Sequence, residues 1–63
     1  MIAYIIKRCD GKYYKGVNIF NEHVFVEELP IALILPTPGI LVKIIKANDF
    51  TDCKVKQVEI KEL

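Results

Sequence analysis

The chain has 63 residues, 52% of them hydrophobic and 27% charged, with a formal net charge of +1. That length implies a single domain, residues 1–63, and the composition is too apolar and too weakly charged for a disordered chain. No apolar run approaches the ~20 residues that span a bilayer, and no basic segment followed by an apolar one opens the chain, so a cytoplasmic location is the expectation.

Residues 1–17 predict a β-hairpin. Ile2, Tyr4 and Ile6 alternate with Ala3, Ile5 and Lys7, and Asp10-Gly11 is a two-residue turn signal. That turn sets Arg8 opposite Tyr13, Ile6 opposite Lys15 and Tyr4 opposite Val17. One face then carries Ile2, Tyr4, Ile6, Tyr13 and Val17 with Arg8 and Lys15. The other carries Ala3, Ile5, Cys9 and Tyr14 with Lys7 and Lys12. The first is the richer in large apolar groups and is expected to face the core. Asn18, Asn21, Glu22 and His23 then read as a turn, and Val24-Phe25-Val26 as a short strand that Glu27, Glu28 and Pro30 end.

The run from Ile31 to Leu35 is bracketed by Pro30 and Pro36, and it suits either a short buried strand or an extended crossing. Thr37-Pro38 marks a helix start, with Thr37 as N-cap and Pro38 at the first helical position. Leu41, Ile44, Ile45 and Asn48 share one side of that helix, and Lys43 and Lys46 point to solvent near its negative end. The last strand runs from Asp52 to Leu63, and its phase slips: Cys53 and Val55 share one face, Val58 and Ile60 the other. A bulge near Lys56-Gln57, or burial of different faces at the two ends, accounts for the slip. The order predicts an α+β fold, in which the N-terminal hairpin and C-terminal strand, with one more short strand, form a small antiparallel sheet under a single helix.

Ten isoleucines, six valines and five leucines make one third of the chain aliphatic. A domain this short hides only about 60% of the surface its unfolded chain exposes. The surplus predicts an apolar patch covered by a second copy or by another protein. The candidate interface is Ile31, Leu33, Ile34 and Leu35, with Ile5 and Tyr14 on the exposed hairpin face. The alternative is nucleic-acid contact through Lys7, Arg8, Lys12, Tyr13, Tyr14 and Lys15, where cations and aromatic rings interleave. The near-balanced charge and the expected split of these cations between two faces count against it. Glu22, Glu27 and Glu28 form an acidic stretch that reads as a solvated loop. One histidine and two distant cysteines form no metal-ligand pattern and no evident thiolate–imidazole pair. No phosphate loop, nucleophile elbow or paired carboxylates appear. The expectation is a non-catalytic module without a cofactor.

Two resemblances accompany this reading. Ile2-Ala3-Tyr4 and Asp10-Gly11-Lys12-Tyr13-Tyr14-Lys15-Gly16-Val17 look like the opening hairpin of GIY-YIG endonucleases. That resemblance implies that Tyr4, Tyr14 and Gly16 line a metal-dependent DNA-cleaving site. Ala3 and Lys15 depart from the two motifs, and no arginine follows to match the family's catalytic one. Over nearly the whole chain, the succession of hairpin, acidic-then-apolar crossing, helix and lysine- and valine-rich strand resembles small orphan proteins of phages and mobile elements. It implies an accessory protein that binds or inhibits a host or phage protein, anti-CRISPR and anti-defence proteins being among that kind.

Overall fold

The computed structural model describes residues 1–60, and in it the Asp10-Gly11 turn has three residues rather than two. The Gly11 amide donates to the Arg8 carbonyl (3.0 Å) and the Arg8 amide to the Lys12 carbonyl (2.8 Å). Gly11 sits at φ +90°, the left-handed conformation that closes such a loop at least cost for glycine. Asp10 holds the loop from inside. Its carboxylate accepts from Arg8 Nε (3.1 Å), Arg8 Nη2 (2.8 Å) and the Lys12 amide (3.1 Å).

The extra residue moves the register of β1 (Ile2–Arg8) and β2 (Tyr13–Val17) by one position, to Lys7 opposite Tyr13. A one-residue slip sends every side chain of a strand to the other face. Tyr14 therefore joins Tyr4 and Ile6 on the core side, and Tyr13 joins Lys7. This corrects the expected pairing of Arg8 with Tyr13, and with it the expected contents of both faces.

The strands β3 (His23–Val26) and β4 (Cys53–Glu59) complete a four-stranded antiparallel sheet in the order β3-β2-β1-β4. With one helix, α1 (Gly39–Ala47), packed on one face, this is the expected small α+β fold. Strand β4 keeps unbroken register with β1, from Ile2 opposite Glu59 to Arg8 opposite Cys53. The phase slip in its sequence is thus no bulge: Cys53 and Val55 face the helix, whereas Val58 pairs with Ala3 and points to the reverse face. Residues 61–63, assigned above to this strand, lie outside the described residues. A bulge occurs instead in β2, where Lys15 is the extra residue between the Tyr14–Phe25 and Gly16–Val24 pairs.

The proline-bracketed run becomes an extended crossing that bonds to both hairpin strands. The Leu33 amide donates to the Tyr14 carbonyl (2.9 Å), and Tyr4 and Leu35 exchange two backbone hydrogen bonds (2.8 and 3.0 Å). Pro30 lies in the short 3-10 turn Leu29–Ile31 that leads into it. Helix α1 starts one residue later than Thr37-Pro38 suggests: Pro38 is the N-cap, and no side chain caps the helix. At the other end Asp49 adopts φ +53° and the Phe50 amide donates to Ile45 (3.0 Å), which turns Phe50 back onto the sheet.

The core on the helix side is Ile6, Tyr14, Leu41 and Cys53, flanked by Tyr4, Phe25, Leu33, Leu35, Ile44, Ile45, Phe50 and Val55, while Ala3 and Ile5 are buried on the reverse face. Leu41 is wholly buried, which stabilises the fold by about 1.5–3 kcal/mol. Nine helical residues are too few to hold a helix in water, so α1 exists by this packing.

Candidate interaction surfaces

The β2–β3 connection repeats the device of the first hairpin with an asparagine in the glycine's place. The Asn21 amide donates to the Asn18 carbonyl (3.0 Å), and Asn21 takes φ +60°. Asparagine tolerates that region better than most residues. The Asn18 side-chain oxygen accepts from the amides of Phe20 (2.8 Å) and Glu22 (3.0 Å), and the Asn18 amide donates to the Glu22 carbonyl (3.0 Å). The turn is held by its own hydrogen bonds, without help from its apolar side chains. Those side chains project outward instead: Ile19 is 92% exposed and Phe20 75%, and Val17 beside them is half-exposed. Two large apolar residues at the apex of a rigid polar turn form the most exposed apolar pair among the described residues.

A second surface lies on the reverse of the β1–β4 pair. Alternation places Lys7 on β1 and Lys54 and Lys56 on β4 on the face opposite the helix, and Lys7 stands directly across from Lys54. The three lysines line one cleft of about 290 Å³ with Arg8, Cys9 and Asp52. Tyr13, the other cross-strand partner of Lys7, shares this side, with the Lys7 ammonium 5.8 Å from its ring centre. The one ion pair among the described residues is Arg8–Asp10. The bidentate contact from Arg8 and the Lys12 amide hold the Asp10 carboxyl down at about 2.

The residues singled out in the sequence are scattered. Ile5 is 1% exposed and Tyr14 3%, so neither offers the hairpin contact expected of it. Leu33 and Leu35 pack against the core, Ile34 is half-buried, and Ile31 is exposed. Among the expected nucleic-acid contacts, Arg8 lies across the helix-side ring of Phe25 (4.1 Å) and is held by Asp10, while Tyr14 is in the core. Lys12 flanks the first turn, and Lys15 lines a separate depression of about 200 Å³ with Gly16, Val17, Asn18 and Val24. Ile19, Phe20, Lys54 and Lys56 were not among the candidates. The signal for the first pair was present in the sequence, because a turn between two asparagines ordinarily carries polar residues at its apex.

The tyrosines named by the GIY-YIG resemblance serve packing. Tyr14 meets Phe25 (5.4 Å) and Phe50 (5.9 Å) ring to ring, and its hydroxyl is hydrogen-bonded to His23 Nδ1 (2.9 Å). Gly16 has φ +140°, a backbone conformation that itself calls for glycine. His23 is engaged by Tyr14 and lies edge-on to Phe50 (5.1 Å), so it joins neither thiol. Cys9 is exposed in the cationic cleft, whereas Cys53 is buried beside Asp52. Burial, with the Asp52 carboxylate second, pushes the Cys53 thiol up to about 11. Among the described residues no three His, Cys, Asp or Glu side chains are placed to hold a metal ion, and no helix is long and apolar enough to cross a membrane.

No protein-family model, curated protein or solved structure matches the chain.

Proposed function

We propose that the chain is a non-catalytic protein-binding module whose contact element is the Ile19-Phe20 apex of the β2–β3 turn. The observation that carries this reading is the combination of near-complete exposure of both side chains with a turn that is already ordered by Asn18. Binding normally costs the freezing of a loop, and here the loop is frozen beforehand. An aromatic anchor on a rigid apex that enters an apolar pocket is the common form of an interface hot spot. Folding gains little from either side chain, whereas burial against a partner would return about 1.5–3 kcal/mol for each.

A second copy of the chain is the first occupant to test, since a net charge of +1 opposes self-association only weakly. A host or phage protein is the other, in keeping with the resemblance to small phage and mobile-element proteins. The experiment is sedimentation equilibrium, together with affinity capture from the native host, on the wild type and on Ile19→Ser/Phe20→Ser. Association or capture that falls roughly 10-fold or more in the variant, whose fold is intact, supports the reading. Association or capture that the variant leaves unchanged refutes it.

A further inference from the structure

The charge of the chain is nearly balanced, but the fold sorts it. Acidic residues gather at the second turn (Glu22) and after β3 (Glu27, Glu28), while Lys7, Lys54 and Lys56 converge on the reverse of the β1–β4 pair. Lysines on an edge strand such as β4 keep it from pairing with another sheet, and that alone would account for Lys54 and Lys56. It does not account for Lys7. That residue is on an inner strand, directly opposite Lys54, and like charges facing each other across a ladder are destabilising. Arg8 at the rim is neutralised by Asp10, and the three lysine ammonium groups face the single carboxylate of Asp52, which leaves an excess of two positive charges.

The three lysines form a bent path, along β4 and then across to β1. Lys54 and Lys56 are two residues apart on one extended strand, about 6.7 Å along it, and Lys7 stands beside Lys54 on the next strand. Lysines spaced about 6.7 Å along β4 and about 5 Å across to β1 suit the successive phosphates of one strand. Tyr13, across from Lys7 on β2, adds a ring at that end of the path. A cationic cleft with an aromatic ring at one end is an arrangement by which single-stranded nucleic acids are held, phosphates on the lysines and a base on the ring.

We infer that the Lys7–Lys54–Lys56 cleft, with Tyr13 beside it, binds the sugar–phosphate backbone of a single-stranded nucleic acid. The site is separate from the Ile19-Phe20 apex, and the strand is bound rather than cut. Cys9, the one exposed thiol in the cleft, provides a built-in reporter, because Cys53 is buried.

The test is fluorescence anisotropy of a labelled oligothymidylate against salt, with alkylation of Cys9 as a second readout. Three phosphate contacts predict that log K falls with log[salt] at a slope of about −2, since each contact to a single strand contributes about −0.7. Lys54→Gln/Lys56→Gln should bring the slope to about −0.7, whereas Lys43→Gln/Lys46→Gln, an equal charge change on the helix, should leave it unchanged. Oligothymidylate should slow Cys9 alkylation in the wild type. Ile19→Ser/Phe20→Ser should bind as the wild type does, so failure here leaves the protein-binding reading standing. Absence of binding at about 20 mM salt would overturn the inference. So would equal weakening by the helix variant, tighter binding of a duplex or of polyglutamate, or unprotected Cys9.

Discussion

The contact between Tyr14 and His23 separates a structural tyrosine from a catalytic one, and its size follows from the geometry. The Tyr14 ring is buried among Phe25 and Phe50, and its hydroxyl lies 2.9 Å from His23 Nδ1 in a partly buried setting. Tyr14→Phe keeps the ring and removes only this bond, a loss of about 1 kcal/mol. In a domain of this size that lowers Tm by about 4–8 °C. His23→Ala removes the same bond together with the edge-on contact to Phe50, so it should cost more. The double variant should then cost about 1 kcal/mol less than the sum of the two. Chemical denaturation of the four proteins, with m-values compared to confirm a common unfolding transition, measures the cycle. Strict additivity, or a Tyr14→Phe variant as stable as the wild type, would refute the bond. Magnesium-dependent nicking of DNA that Tyr14→Phe abolishes would instead place the tyrosine in a nuclease site.

Two other perturbations probe the turns and the bulge. The Asp10 carboxyl falls from its ordinary 3.8 to about 2 in the folded chain, chiefly through Arg8. A lowered folded value means that its contribution is complete above about pH 4 and disappears as pH falls toward 2. NMR titration of the carboxyl should give a midpoint near 2, and Asp10→Asn should remove that part of the acid response. Gly16→Ala meets no atom within 4 Å but must adopt φ +140°, so it should destabilise by about 1–3 kcal/mol, read by thermal unfolding. A neutral result would mean that the bulge relaxes.

The elements were legible in the sequence, and the faces of the hairpin were not. Alternation along Ile2–Lys7, the apolar spacing of Leu41, Ile44 and Ile45, and the valine-rich tail each marked their elements, because burial imposes those periods on the residues themselves. Register depends on one residue of turn length. Asp10-Gly11 fits a two-residue or a three-residue loop equally well as a dipeptide, and the choice falls to the network of Arg8, Asp10 and the Lys12 amide. That single step buried Tyr14 and brought Tyr13 to the side of Lys7. The cationic cleft was hidden from sequence reasoning for a separate reason: it joins residues nearly fifty positions apart through the β1–β4 ladder. The apolar run Ile31–Leu35 misled for a related reason. It is apolar because it crosses two strands and seats Leu33 and Leu35 in the core, and the surplus of large apolar side chains emerges at Ile19 and Phe20 instead.

The most direct test of the protein-binding account places a photo-crosslinking amino acid at the turn apex, in place of Phe20, in the native host. A parallel chain carries it at Lys43 on the exposed side of α1. The account predicts a discrete protein adduct from position 20, either with a second copy or with one other protein, and none from position 43. No adduct at 20, or the same adducts from both positions, would contradict it.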